Sequence, residues 1–143
     1  TEEGTDTYGI EAAYTADSWG LAVAYSDIEN TDDGDATFWG INGMYAFDFA
    51  TISAGVESEN PDDGDTATGF FVGLSFPEVG EGSLDLSVGT TANFADGDEE
   101  YYAYEASYAY PVNDGMTITP GVAYAETEDG DVTVFAVKTS FSF

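Results

Sequence analysis

The chain of 143 residues contains no cysteine and no histidine. Without thiols it has no disulfide framework, no thiolate nucleophile and no sulfur-ligated metal. Without imidazole it also lacks the side chain that most often serves as general base and zinc ligand. A single basic residue, Lys138, stands against 29 acidic ones, a formal charge of −28. Nucleic acid and anionic membrane surfaces both demand Lys and Arg, so neither is a partner. Long apolar runs are missing too: no window approaches about eighteen consecutive apolar residues, and no membrane-crossing helix is expected. Thr1 is not an initiator Met and no signal-peptide pattern precedes it, so the expectation is a mature product or an excerpt of a longer chain. These absences point away from an enzyme and away from any cofactor.

With 43% hydrophobic and 15% aromatic residues the chain nevertheless has the composition of a folded domain. The acids decide what kind. Three classes tolerate such a charge: a halophile's solvated surface, an extracellular calcium-dependent β-protein, and an outer-membrane protein with acidic loops. Nineteen of the 29 acids fall in clusters, at Glu2-Glu3, Glu29 to Asp35, Glu57 to Asp65, Asp96 to Glu100 and Glu126 to Asp131, and the much longer stretches between them carry only the other ten. Four clusters share an Asp-Gly-Asp centred on Gly34, Gly64, Gly97 and Gly130, so the spacings are 30, 33 and 33 residues. That period is one hairpin, repeated.

Within each repeat apolar residues alternate with small or polar ones at period two, and no helix is expected. The predicted strands are Thr5–Thr15, Ser18–Asp27, Ala36–Ala46, Ala50–Ser58, Ala67–Phe76, Ser83–Phe94, Glu100–Tyr110, Met116–Glu126 and Val132–Phe143. About ten residues is the length a tilted strand needs to cross a bilayer. Short connections (Ala16-Asp17, Phe47 to Phe49, Pro77 to Gly82, Pro111 to Gly115) alternate with the acidic ones, an asymmetry expected when the two ends face different compartments.

One strand face collects Tyr8, Ile10, Tyr14, Trp19, Leu21, Val23, Tyr25, Trp39, Ile41 and Tyr45, and later Leu86, Tyr104, Phe135 and Phe141, with aromatics towards strand ends and aliphatics between. This is the pattern of a lipid-facing band between two aromatic girdles. The other face, with Gly20, Ala22, Ala24, Gly40, Asn42, Ser53, Ser87 and Ser107, is small and weakly polar. A soluble β-sandwich would put Lys, Glu and Arg on its wet face, and a halophile's acids would cover the strands as well as the loops. An antiparallel up-and-down transmembrane β-barrel in contact with outer-membrane lipid accounts for the pattern better.

Five of the charges inside strands, Glu11, Glu57, Asp85, Glu105 and Lys138, fall by parity on the small-residue face. A charge facing lipid at the midplane would cost about 2–4 kcal/mol, so these five are the candidate pore-lining residues. Lys138 is expected to lean over Gly121 and Ala123 towards Glu105. The duplicated Asn30 to Asp35 and Asn60 to Asp65 segments make Asp33, Asp35, Asp63 and Asp65 weak calcium candidates, since hard cations take clustered carboxylates. The D-x-D-x-D-G spacing of an EF-hand is absent, and Asp-Gly turn chemistry explains the same residues. Carboxylate pairs such as Glu99-Glu100 sit in loops without a wall to separate their acidities, so no catalytic residue is assigned.

The last segment, VTVFAVKTSFSF from Val132 to Phe143, resembles the closing strand of bacterial outer-membrane proteins. The resemblance implies that Phe135, Phe141 and Phe143 belong to the signal read by the barrel-assembly machinery. The segment YAYPVNDGMTITPGV, Tyr108 to Val122, with the acidic loop and KTSFSF ending that follow, is similar to the cyanobacterial porins related to carbohydrate-selective porins. That similarity implies a barrel of about sixteen strands, of which residues 1–143 would be the C-terminal part, and passive diffusion of ions and small hydrophilic solutes through it. The family's wall-binding domain has no counterpart in the sequence. Thr5–Thr15 and Val132–Phe143 are then expected either to pair with each other in parallel or, the favoured alternative, to pair with polypeptide outside this chain, from missing N-terminal strands or from other chains of a homo-oligomer.

The rival class is an acidic extracellular structural or adhesive β-protein, calcium-stabilised or filament-forming. Fractionation separates the two. The barrel is expected to sediment with membranes and to require detergent for extraction, whereas the rival is expected in the aqueous fraction, with a stability that falls when calcium is chelated.

Overall fold

Strands rich in Val, Ile, Thr, Tyr and Phe, alternating at period two and punctuated by Asp-Gly or Pro, form hairpins wherever the next strand offers a matching ladder. The computed structural model describes residues 6–31, 34–92 and 100–142. All nine predicted strands are present: β1 (Asp6–Thr15), β2 (Trp19–Thr31), β3 (Gly34–Ala46), β4 (Thr51–Pro61), β5 (Ala67–Val79), β6 (Gly82–Ala92), β7 (Glu100–Asn113), β8 (Met116–Ala125) and β9 (Val132–Phe141). They form one sheet in sequence order, each antiparallel to its neighbour. No helix occurs among the described residues.

Several strands run further than their predicted bounds. β2, β3 and β4 extend into the acidic clusters, where Thr31 pairs with Gly34 and Ala36 with Pro61. Charge does not end a strand there because a hairpin ladder continues as long as both backbones can bond. Proline is tolerated at Pro61 because it is the last residue of its strand and needs no further N–H. The chain reverses where glycine supplies positive φ, at Gly64 (+143°) and Gly130 (+117°) in two of the acidic connections. The Asp-Gly-Asp around Gly97 lies outside the described residues.

The described residues form a sheet with no second layer. Among the described residues only Ala50 and Ala67 are buried apolar side chains, while Ile10 is 71% and Val137 70% exposed. A soluble domain buries its apolar face against another element, and this sheet leaves a continuous apolar face open, which is stable only against an apolar medium. Aliphatic Leu21, Val23, Ile41, Val72 and Leu86 occupy the middle of that face. At the end with the short connections, Tyr14 meets Trp19 at 5.1 Å and Tyr45 meets Phe47 at 4.7 Å between ring centroids. Towards the acidic end, Phe70 meets Tyr102 at 6.3 Å and Tyr104 meets Tyr124 at 6.1 Å.

The tyrosines place their polar tips outward. Near the acidic end the Tyr8 hydroxyl donates to Glu29 (3.1 Å) and that of Tyr25 to Asp27 (3.3 Å). Near the other end Tyr110 donates to Glu81 (3.1 Å) and Tyr108 to the Val79 carbonyl (2.7 Å). Each ring spans from apolar band to water, as an interfacial girdle requires.

The strands are staggered. A single register row runs from Tyr14 through Leu21, Gly43, Ala54, Val72, Val88, Tyr104 and Tyr124 to Thr133. It starts next to one end of β1 and finishes next to the opposite end of β9. That is about one residue of offset per strand, the shear that tilts strands by roughly 35–45° in closed barrels.

Val23 and Ala22 are adjacent on β2 but face opposite ways, which gives a direct test of sidedness. Val23→Lys is expected to lower unfolding stability in lipid vesicles by about 2–4 kcal/mol, and Ala22→Lys by much less. Equilibrium denaturation followed by tryptophan fluorescence measures both.

Candidate functional site

The face opposite the apolar band is built by the alternate residues of each strand, and the register assigns every side chain to it without reference to side-chain detail. Glu11 pairs with Ala24, Ala24 with Gly40, Gly40 with Glu57 and Glu57 with Gly69. Asp85 stands between Ser75 and Ser107, and Glu105 between Ser87 and Ala123. Lys138 is opposite Thr119. All five strand charges singled out in the sequence therefore share one face, together with its glycines, alanines and serines.

This face is concave. A trough of about 440 Å³ crosses β4 to β9 and is lined by Ser53, Ser75, Asp85, Ser87, Glu105 and Ser107 among others. Two smaller hollows, of about 280 and 190 Å³, continue it across β2 to β6. Within the trough Asp85 and Glu105 are diagonal neighbours on paired strands, since Asp85 is opposite Ser107 and Ser87 opposite Glu105. Such positions are about 7–8 Å apart, close enough for two carboxylates to act on one passing cation. The surrounding Ser and Thr hydroxyls can donate to or accept from a hydrated solute, and no bulky side chain fills the trough.

The structure adds residues that the sequence reading left out. Because β4 runs on to Pro61, Glu59 joins the same face, opposite Phe38 and Ala67. Phe71 is there too, between Gly55 and Gly89. The signal for it was available: Phe70 and Phe71 are consecutive, so in any strand one of them must leave the apolar face.

Lys138 does not meet Glu105. Glu105 is opposite Ala123, and Lys138 is opposite Thr119, four residues further along β8. At about 3.3 Å per residue this adds about 13 Å along the strand to two strand spacings of about 4.8 Å, beyond the reach of a lysine. Parity and register agree that both residues lie opposite the apolar face, but parity carries no information on height. Phe135 (80% exposed) and Phe141 (60% exposed) point out from the apolar face of β9, whereas Phe143 lies outside the described residues. Of the calcium candidates, Asp33 is likewise outside them. Asp35 lies in β3, where its carbonyl accepts the Asp62 N–H at 2.9 Å, and Asp63 and Asp65 are exposed in the turn after Pro61. Among the described residues no three acidic side chains gather to hold a metal ion.

With Lys138 and Glu105 this far apart, their effects on stability are expected to be independent. In a double-mutant cycle of Lys138→Met and Glu105→Gln, followed by chemical denaturation, the coupling energy is expected to stay within about 0.3–0.5 kcal/mol of zero.

No curated protein and no solved structure matches the chain. A family model does: that of the Gram-negative porins, over residues 1–130, which takes in β1 to β8. An all-antiparallel meander, one apolar face between aromatic girdles, one concave face of small and acidic residues, and a match over most of its length show together that the chain belongs to the Gram-negative porin family.

Proposed function

We propose that the chain forms part of an outer-membrane diffusion channel that passes ions and small hydrophilic solutes and prefers cations. The concave face is the pore wall in this reading. It carries five strand carboxylates, Glu11, Glu57, Glu59, Asp85 and Glu105, against one ammonium, Lys138, leaving four net negative charges, and this imbalance is the observation that carries the cation preference. Acidic loops alone would not secure it, because at 0.15 M salt the Debye length is about 8 Å and the centre of a wide mouth is screened. Carboxylates close to the path raise the local cation concentration without binding tightly enough to trap the ion.

β1 and β9 each have one neighbour in the sheet, and their residues are exposed along their whole length. Unpaired N–H and C=O groups cost several kcal/mol each in lipid, so both edges bond to further polypeptide in the membrane. The likeness of the Tyr108–Phe143 region to cyanobacterial porins supports a place for these residues in the C-terminal part of a larger barrel, with Phe135, Phe141 and Phe143 as its assembly signal.

Reversal potentials under a KCl gradient in planar bilayers test the selectivity. The channel is expected to show a cation-side potential that moves towards zero in Glu57→Gln and Glu105→Gln. Anion preference in the wild type, or no change in both variants, would refute the role given to these carboxylates.

A further inference from the structure

Phe71 is unlike anything around it on the concave face. Its cross-strand partners are Gly55 on β4 and Gly89 on β6, and its same-face neighbours along β5 are Gly69 and Gly73. Four glycines thus clear space around one phenyl ring. The Cδ1–Cε1 edge lies over Gly55 so closely that a Cβ there could not coexist with it. The side chain nonetheless remains 46% exposed, leaving ring surface open to solute.

Two polar groups share its surroundings. Asn42 is opposite Gly55 on the far side from Phe71. Glu57, two residues along β4, lies across Gly69, with Oε1 3.7 Å from where a Cβ on that glycine would stand. Phe71, Glu57 and Asn42 line a single hollow of about 190 Å³. It opens where the β5–β6 ladder ends at the Phe71–Gly89 pair, beyond which the Thr90 hydroxyl accepts the Phe70 N–H at 2.8 Å.

A carboxylate, an amide and an exposed aromatic ring beside one small hollow suit a particular solute. An ammonium group is attracted by the carboxylate and by the face of the ring, its N–H groups can be accepted by the Asn42 carbonyl, and its alkyl substituent covers the apolar ring. A bare alkali ion uses only the carboxylate and stays hydrated; an anion is repelled; a neutral polyol gains nothing from the charge. We infer that the hollow formed by Phe71, Glu57 and Asn42 is a weak transit site for small organic ammonium ions. The inference rests on the reading of this face as the wall of a cation-preferring pore. Its openness suits brief occupancy, so the bound solute slows the current and moves on.

The test uses n-butylammonium chloride added to channels carrying K⁺ current in planar bilayers. The wild type is expected to show concentration-dependent slowing of that current. Phe71→Ala should weaken the apparent affinity about three- to tenfold, the size of a part-exposed cation–π contact, while leaving the KCl reversal potential in place. Phe71→Leu, which keeps an apolar contact without the ring, should fall between the two. Glu57→Gln should reduce both butylammonium affinity and cation preference. Gly55→Ala provides a second route, since its Cβ displaces the ring and also crowds Asn42, whose Cβ lies 3.0 Å from that position, while Glu57 remains; it should weaken the affinity at least as much as Phe71→Ala does. Equal slowing in wild type, Phe71→Ala and Gly55→Ala, or no slowing in a wild type that is cation-selective in KCl, overturns the ammonium site. Anion preference of the wild type in KCl overturns the underlying reading instead, and that result comes from a different measurement.

Discussion

Backbone hydrogen bonding without water is the constraint from which the rest of this structure follows. In lipid an N–H or C=O without a partner costs several kcal/mol, so a spanning chain must pair every such group within protein. An antiparallel meander does this with the shortest connections available, because each strand bonds the one before and the one after it. Once that ladder is in place, alternate side chains are committed to opposite faces, and the sequence can give each face its own medium. Apolar and aromatic residues take one side. Small residues take most of the other, together with Glu11, Glu57, Glu59, Asp85, Glu105 and Lys138.

Charge is distributed by the same logic. Most carboxylates are gathered at one end of the sheet, where water is unrestricted, and those on the outer surface near the strand ends are joined to tyrosine hydroxyls, as with Tyr8 and Glu29 or Tyr110 and Glu81. A phenol bonded to an anion at the edge of the apolar band keeps its ring in the band and its oxygen at the water boundary, so the girdle and the acidic ends hold one another in position.

Most of the fold was legible in the chain itself. The 30- to 33-residue recurrence of Asp-Gly-Asp marked the hairpins, and period-two parity put Glu11, Glu57, Asp85, Glu105 and Lys138 on one face because side-chain direction along a strand is a property of counting. What counting could not supply was relative height. The register between neighbours is set by turn geometry and local shifts, and in the register adopted Glu105 pairs with Ala123 while Lys138 pairs with Thr119, four residues away on β8. Strand ends were underestimated where charge was taken as the boundary, which hid Glu59. Phe71 was overlooked for a different reason: on a small-residue face an aromatic looks like an error in the pattern, and only the glycines on the strands beside it show that room was made for it.

The offset of about one residue per strand changes how charges on the concave face are arranged in depth. Asp85 and Lys138 are each three residues from the strand end that carries the short connections, while Glu11 is four and Glu57 six from theirs. With this face as the wall, the charges form no ring at a single level. Glu105 is eight residues from its own, so from strand to strand the charges alternate in depth instead of climbing steadily. On the proposed reading a cation would meet carboxylates at several levels along the wall, and losing one of them would leave others on its path.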